Sequence, residues 1–239
     1  MILKEYQEKA IKRLIRESKE LLRHRGRKLI FKAPTGSGKT IIVAEFIQRF
    51  VQIMKSEQFS FIWIAPRQLH IQSKEKLDLY YENANIIRCS FFEDLEDKRI
   101  DENEILFFNW ESINRKEGIN IYIRENEQEK YLSKVLDNTR DEQRKIILII
   151  DESHFSTDTE NAENLKELFN PELTIEVSAT PAFIDPDGTV SIDIDDVKAE
   201  GMIKKSVILN ENFNNFIVNG KIQSEFITNT DELVIEAAL

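Results

Sequence analysis

Ala33-Pro34-Thr35-Gly36-Ser37-Gly38-Lys39-Thr40 is the stretch on which the reading of the fold turns. A short hydrophobic run ending at Phe31 leads into it, and a helical pattern from Thr40 to Met54 leads out. Strand, glycine-bearing turn and helix together form the setting of a phosphate-binding loop. The backbone N–H groups of residues 35–40 point inward around an anion. The start of the following helix adds unpaired N–H groups and the positive end of its dipole. Gly36 and Gly38 allow backbone angles and close approach that a side chain would block. Lys39 reaches the terminal phosphates as a mobile charge, and the Thr40 hydroxyl can hold Mg2+. The usual pattern starts with glycine, and here Ala33 stands in that place. The reading therefore rests on Gly36, Gly38-Lys39-Thr40 and the flanking elements, with Thr35 and Ser37 completing the loop.

Upstream, Tyr6, Ala10, Ile11, Leu14, Ile15, Ser18, Leu21 and Leu22 recur at helical spacing over residues 4–22. Gly26 ends that amphipathic helix or follows its end. Leu29-Ile30-Phe31 is a short buried strand. Downstream of the loop, Phe59 to Ala65 is a second strand that ends in Ala65-Pro66-Arg67, followed by a helix from Gln68 to Tyr81. Asn85 to Cys89 reads as a third strand, and Ile105 to Phe108 as a fourth ending in Asn109-Trp110. Trp110 is expected to pack in the core. Residues 114–144 read as a charged insertion carrying one helix, marked by Tyr131, Leu132, Val135 and Leu136.

Ile146-Ile147-Leu148-Ile149-Ile150 is an uninterrupted apolar run with four β-branched residues. That composition belongs to a central parallel strand covered on both faces. It ends in Asp151-Glu152-Ser153-His154. A helix over 161–169 separates it from a strand over 173–177, which ends in Ser178-Ala179-Thr180-Pro181. Strands alternate with helices, and the polar motifs follow the strand ends. The expected fold is α/β: an open, mostly parallel, twisted sheet with helices on both faces and its site along the carboxyl edge.

Beyond Pro181 the texture changes. Asp185-Pro186-Asp187-Gly188 is a turn signal, and Val190 to Ile194 alternates as a β segment would. Asp193, Asp195 and Asp196 show no ligand spacing and read as a solvated loop or strand edge. Residues 210–220 read as a turn, and a helix is expected over 230–239, where the sequence stops. A stop inside a helix is what a piece of a longer chain would show. The division expected is residues 1–182 as the nucleotide-binding domain and 183–239 as an extension or linker.

The 239 residues carry a net charge of −10, which speaks against a general affinity for nucleic acid. Residues 1–30 hold ten Lys or Arg and four Glu, so 10 − 4 gives +6 there. A solvated helix face accounts for that excess as well as a local binding patch does. One cysteine, Cys89, excludes an internal disulfide, suits a reducing, cytoplasmic setting and reads as a buried thiol. No apolar run is long enough to span a membrane.

The second chemical constellation is Asp151-Glu152. It follows Lys39 by 151 − 39 = 112 residues, yet a parallel sheet would align the two strand ends. Phosphate hydrolysis needs a metal ion on the β and γ oxygens and a group that orients water. Asp151 suits the metal, and Glu152 suits the water. His154, two residues on, is placed to couple the nucleotide site to neighbouring motifs by hydrogen bonds.

In this order and spacing, residues 33–40, Asp151-Glu152-Ser153-His154 and Ser178-Ala179-Thr180 resemble motifs I, II and III of superfamily 2 helicases and translocases. The acid motif is a variant of the DEAH box with Ser153 in place of alanine, a similarly small residue. The resemblance implies a RecA-like P-loop motor domain that uses ATP and Mg2+. It implies coupling roles for His154, Ser178 and Thr180. Residues 3–11 resemble the upstream glutamine motif, which implies that Gln7 reads the adenine edge. Ala65-Pro66-Arg67-Gln68 resembles motif Ia, which implies a nucleic-acid backbone contact at Arg67, with Asn109 a further candidate at the neighbouring strand end. Within the superfamily the chain is similar to the Res subunit of type III restriction enzymes. The Phe107-Phe108-Asn109-Trp110 stretch, the insertion before the acid motif and residues 196–205 carry that narrower likeness.

The family also implies what must lie elsewhere: a second RecA-like domain whose arginines complete the ATP site. The 239 − 180 = 59 residues after Thr180 are too few for it, and no nuclease motif is visible. The expected partners are nucleic acid (DNA rather than RNA), that second motor domain and a modification subunit, with no membrane. The chain by itself is expected to bind ATP and Mg2+ and to hydrolyse slowly. Two other readings stay open on the residues alone: another P-loop enzyme such as a small-molecule kinase, and a module whose partner surface nucleotide gates.

Overall fold

The computed structural model describes residues 3–84, 86–95, 97–110, 132–152, 169–182, 184–203, 217–218 and 221–222. The chain divides into two compact units, Met1–Met202 and Ile203–Leu239. In the second, Ile217–Val218 and Lys221–Ile222 form a small antiparallel hairpin.

The first unit is built on a seven-stranded sheet in which every pairing is parallel. Its strands are β1 (Arg27–Lys32), β2 (Phe59–Ala65), β3 (Arg88–Ser90), β4 (Glu104–Asn109), β5 (Lys145–Asp151), β6 (Leu173–Ser178) and β7 (Gly188–Ser191). The helices are α1 (Glu5–Leu21), α2 (Lys39–Ile53), α3 (Leu69–Tyr81), α4 (Leu132–Asp141) and the short α5 (Ile194–Ala199). The spatial order is β3-β4-β2-β5-β6-β1-β7. The most apolar strands, β2 and β5, pair side by side inside the sheet, where both faces must be covered, and β2 and β6 are buried along their whole length.

Alternation along each strand divides the core into two layers. On one face Ile62, Ile64, Leu106, Phe108, Ile146, Leu148 and Ile150 meet Leu132, Val135 and Leu136 of α4. Trp110 joins this layer as the expected core residue. On the other face α2 lays Phe50 against Phe59, ring centroids 5.0 Å apart, and Trp63 stacks on Phe107 at 5.8 Å. Burying these side chains contributes roughly 1.5–3 kcal/mol each relative to exposure.

Three local readings change. The third strand runs over Arg88–Ser90 rather than 85–89, because pairing to β4 starts where the Arg88 N–H reaches the Asn103 carbonyl, 3.2 Å. The β segment after Gly188 stops at Ser191, and Ile194 opens α5 instead of ending a strand. Asp193 explains the stop: its carboxylate accepts from the Asp195 N–H at 2.9 Å and caps the helix. The acidic group at 193–196 is thus a helix start. Residues 188–199 add an edge strand and a helix to the sheet beyond residue 182. The helices expected over 161–169 and 230–239 fall almost wholly outside the described residues, as does the turn over 210–220. Among the described residues no helix is long and apolar enough to cross a membrane.

Candidate nucleotide site at the carboxyl edge of the sheet

Parallel pairing brings the expected strand ends to one edge. In register, Asp151 faces Val177 and Ser178 faces Lys32. β6 therefore lies between the strand that leads into the phosphate loop and the strand that ends in the acid pair. Two backbone hydrogen bonds fasten the three tips: Ala33 N–H to the Ser178 carbonyl at 3.1 Å, and Glu152 N–H to the Val177 carbonyl at 2.8 Å.

The loop explains the departure at its first position. Ala33 is fully buried and keeps an ordinary backbone, so no glycine is required there. The left-handed positions are Gly36 (φ 83°) and Gly38 (φ 82°). Gly38 is the residue that starts α2, and no side chain caps that helix. The first turn carries no acidic residue either. A 15-residue helix thus presents its first N–H groups and positive dipole end to the cavity, polarity kept for an anion. The Ser37 hydroxyl is buried and has no hydrogen-bond partner among the described residues.

Across the edge, Lys39 Nζ stands 3.0 Å from Glu152 Oε1. Glu152 holds a left-handed backbone (φ 52°), an unusual conformation for a glutamate, and its hydrogen bond to β6 helps to fix it. Asp151 is 7% exposed. Burial, reinforced by the adjacent Glu152 charge, raises its carboxyl from the ordinary 3.8 to about 6; Lys39 and the Ser73 hydroxyl pull the other way. Ser73 Oγ, on α3, donates to Asp151 Oδ2 at 3.5 Å. Trp63, on the strand next to β5, is fully buried, and its indole N–H also lowers the Asp151 carboxyl.

Thr35, Gly36, Gly38, Lys39 and Thr40 line one cavity of about 280 Å³ with Asp151 and Glu152. Leu69, Gln72, Ser73 and Lys76 of α3 close its remaining side. These residues fit a nucleotide phosphate chain and a divalent cation. The uncapped helix start and Lys39 suit the phosphates, and the oxygen donors of Thr40 and Asp151 suit a hard metal ion.

α1 touches the same loop. The Tyr6 hydroxyl and the Gln7 side-chain amide both donate to the Ser37 carbonyl, at 2.9 and 3.1 Å. Gln7 Oε1 also accepts from the Lys4 N–H at 2.9 Å. Both ends of the Gln7 amide are therefore engaged within the chain. Arg49 strengthens the attachment of α1 to α2, gripping both Glu8 oxygens at 2.7 and 2.8 Å.

The other expected positions are placed as follows. Ser178 is buried, and its hydroxyl accepts from the Thr180 N–H at 3.1 Å, so the motif folds back on itself. Arg67 is exposed at the tip of β2 with a left-handed backbone (φ 55°), and Asn109 lies in register with Ala65 on the next strand. His154 lies outside the described residues. Much of the basic excess at the amino end is compensated locally: Lys9 meets Glu5, Arg23 meets Glu20, Arg25 meets Glu172 and Arg27 meets Asp187, all within 3.0 Å. That favours the solvated-face reading of the segment. Cys89 is partly buried, and burial pushes its thiol far above the usual range.

Four residues of the site escaped the sequence: Tyr6, Trp63, Ser73 and Lys76. Tyr6 carried a signal, since it adjoins Gln7, but helical spacing assigned it to the apolar stripe. The other three carried none, because only the crossing of β2 and α3 beside β5 brings them to the edge.

A parallel sheet with an uncapped phosphate loop, an acid pair one strand away and a polar turn between them defines a helicase-type motor domain. The chain belongs to the family of the type III restriction enzyme res subunit, whose family model matches residues 1–183. No curated protein sequence gives a significant match. Among solved structures it is similar to a nuclease-deletion mutant of the Type ISP restriction-modification enzyme LlaGI in complex with a DNA substrate mimic. That likeness has 15% identity and a TM-score of 0.52, over 84% of this chain and 21% of that one. It is also similar to the DUF1998 helicase MrfA bound to DNA, with 16% identity and a TM-score of 0.49, over 81% of this chain and 28% of that one. The chain thus spans under a third of either structure's length.

Proposed function

We propose that the chain binds and hydrolyses ATP as the motor domain of a DNA helicase or translocase, within a Res subunit of the type III restriction kind. The observation that carries this reading is the Lys39–Glu152 pair at 3.0 Å across the mouth of an uncapped helix. It sets a phosphate-seeking cation against the carboxylate that would orient water. In the proposed cycle an entering triphosphate draws Lys39 off Glu152. The amides of residues 36–40 and Lys39 hold the phosphates, and Glu152, released by Lys39, accepts a proton from the attacking water. Thr40 and Asp151 would hold Mg2+, which would supply charge neutralisation for the phosphates when bound. Gln7 and Tyr6 hold the Ser37 carbonyl, fixing the loop. With its amide already engaged, Gln7 reads the adenine edge only by exchanging one of those bonds.

Ser178, at the tip of the strand between the two halves of the site, and Thr180, in the turn that follows, are assigned the coupling role, together with His154. Arg67 and Asn109, on neighbouring strand tips, are assigned backbone contacts to DNA. No arginine lines the cavity among the described residues. Full turnover is accordingly assigned to a site completed by a second motor domain, and a modification subunit is the further partner proposed.

Nucleotide binding by calorimetry, with and without Lys39→Ala, tests the reading. Loss of ATP affinity in the variant is expected, and unchanged affinity would remove the loop assignment. Steady-state ATPase of the chain tests the second part. Slow turnover is expected, and fast DNA-stimulated turnover would show that no second domain is needed.

A further inference from the structure

α3 carries functional groups that the cycle above leaves idle. Leu69, Gln72, Ser73 and Lys76 line the nucleotide cavity, at positions i, i+3, i+4 and i+7 of the helix. That spacing puts all four on one face. Ser73 anchors the face to the acid edge through its bond to Asp151. Lys76 follows less than one turn later. It makes no hydrogen bond or ion pair with any described residue, whereas its neighbour Lys74 is taken up by Asp78 at 2.8 Å.

The charge balance of the cavity gives this lysine a task. Its ionisable lining residues are Lys39, Lys76, Asp151 and Glu152. Lys39 is offset by Glu152, so among the described residues Lys76 is the one cation of the lining that makes no ion pair. Without Lys76 the fixed charge would be negative, facing a strongly anionic ligand. A lysine on an exposed helix turn is suited to closing on phosphate, because its charge is compact and rides on a flexible four-carbon stem.

We propose that Lys76 is a second phosphate-binding cation, supplied by α3, which contacts the terminal phosphate of a bound nucleoside triphosphate. This rests on the nucleotide reading of the site and adds to it a residue that distinguishes triphosphate from shorter ligands. Because Lys76 is exposed, its contribution is expected to be modest, a three- to tenfold change in affinity at about 1 kcal/mol for such a contact.

The test is calorimetric binding of ATP, ADP and AMP with Mg2+ to the wild-type chain and to Lys76→Ala, Lys76→Arg and Lys39→Ala. Thermal melts without nucleotide check that each variant is folded. Lys76→Ala should weaken ATP by about three- to tenfold, weaken ADP less, leave AMP unchanged, and be repaired by Lys76→Arg. If Lys39→Ala weakens ATP while Lys76→Ala does not, the proposal is overturned and the nucleotide reading stands. Equal weakening of ATP, ADP and AMP by Lys76→Ala also overturns it, since the effect would then not lie at the terminal phosphate. If neither variant weakens ATP, both readings fail together.

Discussion

Replacing Asp151 with asparagine should make the protein more stable while removing its hold on magnesium nucleotide. Asp151 is almost fully buried, and its carboxyl is raised from 3.8 to about 6. An acid whose proton is held more tightly in the folded chain stabilises the fold only while it stays protonated. The unfolded chain gives up that proton near 3.8, the folded chain near 6. Stability from this group is therefore full at low pH, falls as pH climbs through that interval, and stays reduced above it. At about 1.4 kcal/mol per pH unit, the reduction above pH 6 is of order 2–3 kcal/mol. Asparagine has nearly the same shape, can still accept from Ser73 and carries no charge to bury.

Urea denaturation followed by tryptophan fluorescence, in a metal-chelating buffer, reads this directly. At pH 8 the variant should exceed the wild type by roughly 1–3 kcal/mol. At pH 4 the gap should largely close, because the folded wild type is then protonated. Magnesium and ATP should invert the order at pH 8, since a ligand at a hundred times its Kd adds about 2.7 kcal/mol to the chain that binds it. A variant no more stable than wild type at pH 8, or a gap of the same size at both pH values, would refute the burial argument.

Three further outcomes follow from other parts of the structure. Gly38→Ala places a Cβ 2.8 Å from Gln7 Nε2 in a left-handed backbone; it should cost about 1–3 kcal/mol in urea melts and weaken ATP binding measured by calorimetry. Tyr6→Phe should cost about 0.5–1.5 kcal/mol. Combined with Gln7→Ala it should be non-additive by at least about 0.5 kcal/mol, because both side chains donate to one carbonyl. Trp110→Ala empties a packed layer beneath α4 and should cost about 3–5 kcal/mol of unfolding free energy while leaving ATP affinity in the surviving folded fraction close to wild type.

The sheet was legible because its signals are local. Residues 146–150 can only be a strand covered on both faces, and Gly36, Gly38 and Lys39 mark a loop that few other structures need. The acid pair became legible once the strand before it was recognised. What stayed hidden depends on lateral packing. β7 joins the edge of the sheet because β1 leaves a row of N–H and C=O groups open on that side, a circumstance no pattern at 188–191 announces. Asp193 turned the chain into a helix where alternation suggested a longer strand, since one capping bond outweighs a weak β pattern. Ser73 and Lys76 lay within the expected helix over 68–81, and nothing in their own neighbourhood reveals that β5 ends beneath them.

The position of β6 has a mechanical consequence. Its tip is hydrogen-bonded on one side to the start of the phosphate loop and on the other to the backbone of the acid pair. The turn that follows is locked back onto the strand twice, by Thr180 N–H to the Ser178 hydroxyl and by Ala182 N–H to the buried Glu176 carboxylate. There is little slack in that connection. A pull on the chain beyond Ala182 loads the two flanking bonds together and in shear, the direction in which strand contacts resist force as a group. Both banks of the site are thereby tied to one strand tip.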